Sequence, residues 1–243
     1  MNKDYGRASV EYIQTAVDLL KRKELDCLVT CPISKEAMRL AGFKYSGHTE
    51  LLADLSGCDK PLMILINRYL KFAMVTRHLA FKKVPQALTG AVICNTFLLA
   101  HKAMKQMFGL AFPRIVVLAL NPHASDGGIL GREEQDIIIP AVKRLRKIRF
   151  FLDGPLPADS GIKMLLEKQY DCALAMYHDQ ALIALKLSDA ESGVNLTYGL
   201  PYVRTSPLHG TAFNIAGKNK ACPNPLIWAI KQSVECAYNL KNA

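Results

Sequence analysis

Three of the six histidines follow apolar runs. His123 follows one in "LALNPHASDGG" (118–128), His178 another in "LAMYHDQAL" (174–182), and His78 comes directly after "KFAMVTR". Imidazole is a common metal ligand, and three of them converging from separate strand ends would make an open site with positions left for substrate. They lie far apart in the sequence, so no local metal spacing marks them, and each alone reads equally as an unrelated loop histidine. Asp179, next to His178, can orient an imidazole or simply stabilise its loop.

Other stretches carry binding chemistry. "SGHTE" (46–50) sets His48 and Thr49 just ahead of the apolar "LLADL". A helix N-terminus offers free N–H groups to an anion, or Thr49 serves only as a cap; the two readings weigh equally. The irregular run "VRTSPLHGTAFNIAGKNKACPNP" (203–225) is rich in donors, as ligand-binding loops often are. Within it Arg204 presents a fork suited to phosphate, and Lys186 can add a second positive charge. GxGxxG, GxxxxGK[ST] and GxSxG patterns are all missing, so the usual dinucleotide, P-loop and serine-nucleophile signatures do not apply. His101, inside "LLAHKAM", reads as a packed or surface side chain.

Elements that could position these residues alternate along the chain. Val10, Ile13, Val17 and Leu20 share one face of a helix over 8–24. "LDCLVTCP" reads as a strand, followed by a short helix with Ser34 as its N-cap and Gly42 as its stop. Strands are expected at "PLMILIN", "KFAMVT", "RIVVLAL" and "CALAMY". Helices are expected over about 85–108, over "EEQDIIIPAVKRLRKI" with Pro140 near its start or at a kink, over "GIKMLLEKQ", and over 224–240. In the last of these, Ile227, Ile230, Val234 and Ala237 lie along one side. Residues 187–210 should be extended. Such alternation predicts an α/β fold with a substantially parallel sheet, in which loops past the carboxyl ends of the strands form the ligand crevice. His78, His123 and His178 would then share one rim.

The chain has 243 residues, half of them hydrophobic, and no apolar run of membrane-spanning length. It begins with a polar stretch, so a cytoplasmic location is expected. Seven cysteines without a CxxC pair read as reduced thiols. The net charge of +10 raises nucleic acid as a partner. Its densest run, 143–150, is nevertheless the basic end of an amphipathic helix, with Val142, Leu145 and Ile148 at helical spacing. An anionic small substrate accounts better for the charge, with neither nucleic acid nor membrane as partner.

In combination, "GRASVEYIQTAVDL", "CPISKEA", "AGFKYSGHTELLA", "LNPHASDGGILGREE", "DGPLPADS", "AMYHDQALIALK" and "GVNLTYGLPYVRTSPLHGTAFNIAGK" resemble the 4-hydroxythreonine-4-phosphate dehydrogenase (PdxA) family of pyridoxal phosphate biosynthesis. The resemblance implies an isocitrate/isopropylmalate-dehydrogenase-like α/β fold, with largely parallel sheets flanked by helices and an active-site cleft between two lobes. It implies a homodimer with shared sites and a divalent metal (zinc first, magnesium or cobalt as alternatives) on His78, His123 and His178 drawn from both subunits. Substrate contacts would fall on His48, Thr49, Asp159, Lys186, Asn195 and Arg204, with Lys186, Asp159 and His48 as candidate proton-transfer groups. NAD, or alternatively NADP, would meet the loop carrying His209, Gly210, Thr211, Ala212 and Asn214. The implied reaction oxidises 4-phosphohydroxy-L-threonine to a β-keto acid that decarboxylates to 3-amino-2-oxopropyl phosphate. Two rivals are a 4-phosphothreonate or 4-phosphoerythronate dehydrogenase and a truncated, non-catalytic binding protein.

Three departures from the family pattern stand out. The family's N-terminal "GDPAGIGPE"-type segment has no counterpart, so residues 1–243 are expected to form a single, N-terminally truncated region. Asn214 replaces an acid that would favour NAD. Ala181, Ala184, Ser125 and Asp126 replace the usual residues near the histidines.

Overall fold

The structure, a computed structural model, describes residues 2–45, 47–148 and 150–242. Helix α1 (Lys3–Lys21) starts at an Asn2 cap and buries Val10, Ile13, Val17 and Leu20, the face expected from their spacing. Strand β1 (Cys27–Val29) leads to α2 (Lys35–Leu40), where the Ser34 hydroxyl accepts from the Ala37 N–H as predicted. Helix α3 (His48–Ser56) follows, then β2 (Leu62–Ile66) and β3 (Lys71–Met74).

The single helix expected over 85–108 is two. Helix α4 (Val84–Ala87) and α5 (Gly90–Gln106) meet at a 90° bend. Leu88 is extended, and the Thr89 hydroxyl opens α5 by accepting from the Val92 N–H. Strand β4 (Ile115–Leu118) ends in the His123 loop. A π-helical turn, Glu134–Ile138, then runs into α6 (Ile139–Arg146), with Pro140 in the first turn of α6 at their junction. Ile148 lies past the end of α6 and is exposed, so it does not extend the Val142–Leu145 face; Arg149 lies outside the described residues. The remaining elements are β5 (Leu152–Leu156), α7 (Ala158–Leu166), β6 (Cys172–Ala175), α8 (His178–Asp189), β7 (Val194–Tyr198), β8 (Val203–Pro207) and α9 (Asn224–Lys241). Strand β5 was not legible, because Asp153, Gly154 and Pro155 interrupt any two-residue hydrophobic period.

Among the described residues the strands form one sheet in the order β1-β8-β7-β2-β3-β6-β4-β5. Pairings β1/β8, β3/β6, β6/β4 and β4/β5 are parallel, while β8/β7, β7/β2 and β2/β3 are antiparallel. Both faces are covered, which is why the central strands read as unbroken apolar runs. Strand alternation sends Ile64, Val117 and Leu174 to a core under α5, α6 and α9, and Leu65, Val116 and Ala175 to a second core under α7 and α8. A third cluster joins α1, α2 and α3 to Leu200 and Tyr202.

Of the four α9 residues expected along one side, Ala237 alone is buried. Small side chains (Ala229, Ser233, Cys236 and Ala237) pack inward, whereas Ile227, Ile230 and Val234 are exposed. All seven cysteines are free. Among the described residues no single helix is long and apolar enough to cross a membrane.

Candidate functional site

Strands β3, β6 and β4 are adjacent and parallel, so their carboxyl ends share one rim, and His78, His178 and His123 follow those ends. Side-chain bonds tie the three ends together. The Thr76 hydroxyl donates to the Met176 carbonyl (2.6 Å), joining β3 to β6. Gln180 accepts from the Met176 N–H and donates to the Ala119 carbonyl, both at 2.7 Å, joining β6 to β4. Fully buried Glu134 accepts from the N–H groups of Leu120 and Asn121 (2.8 Å each) and from the Asn121 amide (2.9 Å). None of Thr76, Gln180 or Glu134 was singled out from sequence, because each bonds to backbone in another element of the fold.

The His123 loop is unusual in itself. His123, Ala124, Ser125 and Asp126 all have φ between 45° and 67°, a left-handed turn that non-glycine residues disfavour. Its side of the rim also carries α7, with exposed Asp159 in its first turn.

Between the α1–α3 helices and α8 the sheet floors a cavity of about 260 Å³. Asn195 and Ser206 form one cross-strand row with Leu65, and Thr197 and Arg204 the next with Leu28. Around the floor stand His48, Thr49, His78, His178, His209 and Gly210, together with Lys35 and Glu50, which sequence reasoning missed. Thr49 is not the cap of α3, since Gly47 holds that position without any side-chain bond. Ser46, also in that motif, lies outside the described residues. Lys186 lines an adjoining cavity that shares Leu208 and His209 with the first. His123, Asp159, Thr211, Ala212 and Asn214 do not line the cavity that holds His48 and Arg204.

The electrostatics favour an anion. Arg204 is 2% exposed and is bonded to hydroxyls alone: Nη2 to Thr30 at 2.6 Å, Nε to Thr30 at 3.2 Å and Nη1 to Thr197 at 3.3 Å. Burial lowers its pKa to about 10, leaving it charged at neutral pH. Asn195 Oδ1 is buried without a hydrogen-bond partner. Burial, then Arg204 and Lys35, push His48 down to about 3, so its ring is neutral.

His78 is also lowered, by burial, then by Lys35 and His178. The His78 and His178 rings stand 5.5 Å apart, and Asp179 takes His178 Nδ1 at 2.6 Å, leaving Nε2 for the cavity side. Imidazoles sharing one ion at about 2.0–2.1 Å with tetrahedral angles bring their ring centres to roughly 5 Å. This pair therefore fits a common metal. Among the described residues no group of three or more His, Cys, Asp or Glu side chains closes around one point within the chain.

Residues 1–233 match the family model for pyridoxal phosphate biosynthetic protein PdxA. The chain belongs to the PdxA family. It is 44% identical over 233 residues to the 4-hydroxythreonine-4-phosphate dehydrogenase of Sulfurihydrogenibium sp. (strain YO3AOP1), covering 96% of this chain and 72% of that protein. Against the Caulobacter vibrioides 4-hydroxythreonine-4-phosphate dehydrogenase identity is 46%, over 96% and 74%. The crystal structure of the Klebsiella pneumoniae 4-hydroxythreonine-4-phosphate dehydrogenase superposes with a TM-score of 0.88 at 36% identity, over 97% of this chain and 71% of that one. A terephthalate 1,2-cis-dihydrodiol dehydrogenase from Burkholderia xenovorans LB400 gives 0.71 at 28% identity, over 97% and 74%. Membership of the PdxA family and relatives that are dehydrogenases make an oxidoreductase of pyridoxal phosphate biosynthesis the supported class, on an α/β fold common to the PdxA structures.

Proposed function

We propose that the chain oxidises 4-phosphohydroxy-L-threonine with NAD and a divalent metal, giving a β-keto acid that loses CO2 to yield 3-amino-2-oxopropyl phosphate. The observation that carries this reading is the buried Arg204 guanidinium, which faces a cavity without a carboxylate partner, beside the unpartnered Asn195 oxygen. A phosphate monoester supplies oxygens for the guanidinium fork, and its protonated form or the substrate's ammonium can donate to Asn195.

When bound, the metal would supply Lewis acidity at the substrate hydroxyl, and NAD would take up the hydride. The ion would sit on His78 and His178 from one chain. His123 would complete the set from a second copy, because it is exposed on the same side of the rim as Asp159 and away from the cavity. A homodimer would join these two clusters into one site.

His48, neutral and half-buried, is the member of the proton-transfer trio that lines the cavity; an anionic substrate beside it, countering Arg204 and Lys35, would raise its basicity from that depressed value so that it can take the hydroxyl proton. Thr49 and Lys35 hold the anionic substrate beside it, with Lys186 reaching in from the adjoining cavity. Loss of CO2 leaves an electron pair at C2, which a proton then fills. In the coenzyme loop, Lys218 Nζ donates to the Asn214 carbonyl at 2.8 Å. With no acid at 214, a 2′-phosphate meets no repulsion there, so NADP competes with NAD.

The test is metal-dependent NADH formation with 4-phosphohydroxy-L-threonine, run beside 4-phosphoerythronate and a His178→Ala control. Turnover lost in the control supports the reading. A folded, zinc-loaded protein that turns over neither substrate refutes it.

A further inference from the structure

We propose, resting on the function given above, that Glu50 and Lys35 receive the α-amino acid end of the substrate. Glu50 takes the ammonium and so selects an amino acid over the corresponding hydroxy acid. The candidate substrates differ at C2, where 4-phosphohydroxy-L-threonine carries an ammonium and 4-phosphothreonate or 4-phosphoerythronate a hydroxyl. All share the C1 carboxylate and the phosphate, so the group that tells them apart must meet C2.

Charge narrows the choice. Among the described residues Glu50 is the only carboxylate lining the cavity, which it shares with the cations Lys35 and Arg204. Asp189, in the adjoining cavity, is already engaged by the Ser192 hydroxyl and Arg68. Glu50 stands in the first turn of α3, three residues after the Gly47 cap. An acid at that position often turns back to the cap N–H. Glu50 lines the cavity instead, and among the described residues neither it nor Lys35 takes part in an ion pair.

Both side chains nevertheless approach one point. Glu50 Oε2 lies 3.6 Å, and Lys35 Cε and Nζ lie 3.4 and 3.9 Å, from where a Cβ on Gly47 would sit. Gly47 has an extended backbone (φ 164°), which any residue adopts, and those contacts are ordinary ones. Folding therefore does not call for glycine there. Its effect is to leave open the space between two opposite charges that do not pair with each other. A carboxylate on C1 beside an ammonium on C2 is the complementary arrangement, and ionic hydrogen bonds are stronger than neutral ones. At His78, Lys35 adds to the lowering by burial and Glu50 opposes it. Both charges thus stand near the end of the cavity where the substrate hydroxyl on C3 would meet the metal, with Arg204 left to the phosphate.

The test compares 4-phosphohydroxy-L-threonine with 4-phosphoerythronate on wild type, Glu50→Gln and Lys35→Met. It reads kcat/KM for NADH formation with zinc and, independently of turnover, calorimetric binding without NAD. Glu50→Gln should lower the preference for the amino acid about ten- to a hundredfold in both measurements, and Glu50→Asp should restore part of it. Lys35→Met should weaken both ligands without lowering their ratio. Glu50 is exposed, so Glu50→Gln should keep the circular dichroism of wild type; Glu50→Ser repeats the comparison if it does not. A wild type without preference, or a preference that Glu50→Gln leaves unchanged, overturns the inference while the dehydrogenase reading stands. A binding preference lost in Glu50→Gln, in a protein that turns over neither substrate, supports the inference and sinks the proposed reaction. Binding of neither ligand overturns both.

Discussion

Glu134→Ala should release the His123 turn without unfolding the protein. Four non-glycine residues, His123 to Asp126, sit in the left-handed region, at roughly 1–2 kcal/mol each, or about 4–8 kcal/mol of local strain. Opposing it are the three hydrogen bonds accepted by the buried Glu134 carboxylate, worth about 1.5–3 kcal/mol each, or roughly 5–9 kcal/mol. The two sums are of similar size. Removing the carboxylate therefore lets the turn relax and recover its strain, so the net loss of global stability is only about 1–3 kcal/mol. Local consequences are larger: amides of residues 121–128 should exchange about a hundredfold faster. Glu134→Gln keeps an oxygen for the two backbone N–H groups and loses mainly the Asn121 contact, so it should fall between. Urea unfolding gives the global figure and hydrogen exchange the local one. If Glu134→Ala costs more than about 5 kcal/mol while 121–128 stay protected, the turn is held by something else and the reasoning fails.

Three further outcomes are expected. Arg204→Met removes a buried cation that has no carboxylate partner, so folding stability should hold or rise by about 1 kcal/mol, while binding of a phosphorylated ligand by calorimetry weakens by about 2–5 kcal/mol; a fall in stability with intact binding would contradict the role given to Arg204. His48 has a folded pKa of about 3 against an ordinary 6.5, so the unfolded chain binds the proton first and stability falls as pH drops below 6.5. The loss is about 2 kcal/mol at pH 5, visible in urea midpoints at pH 7.5 and 5 and flattened in His48→Gln; an unchanged slope in that variant would assign the effect elsewhere. Gln180→Met leaves the Met176 N–H and Ala119 C=O buried and unpaired at about 2–4 kcal/mol, and a loss under 1 kcal/mol would show that the strand ends do not depend on it.

What could be read from sequence divides along physical lines. The α1 face, the Ser34 cap and most strands were legible because local periodicity and capping chemistry decide them. Histidines at parallel strand ends were legible as a group because fold class alone gathers them at one rim. The break at Leu88 was signalled only by Thr89-Gly90, a cap inside a run that is apolar on both sides. Helix α9 misled because hydrophobicity marks what prefers burial, and here the sheet accepts only small side chains while the large ones face outward. Lys35, Gln180, Thr76 and Glu134 had no local signature: Thr76 and Gln180 donate to carbonyls 100 and 61 residues away, Glu134 accepts from backbone 13 and 14 residues back, and Lys35 meets the cavity only through the fold.

The two costs that the fold carries at this rim favour a built site over an incidental hollow. A guanidinium withdrawn from water with hydroxyls as its hydrogen-bond partners, and a run of non-glycine residues held left-handed, both oppose folding. Neither is needed to close the sheet, because apolar side chains at 204 and a right-handed loop after β4 would complete the same cores. Both front the region where the three histidine-bearing strand ends meet. Arg204 stays charged inside the cavity, and the left-handed turn carries the one rim histidine that the cavity of its own chain does not use. Under the proposed function each feature gains when something binds: an anion against Arg204, and a partner group against His123, whose turn Glu134 alone offsets in the free chain. A site arranged in that way is stabilised by its ligands, so the phosphorylated substrate and zinc together should raise the melting temperature of wild type more than of Arg204→Met or His123→Ala.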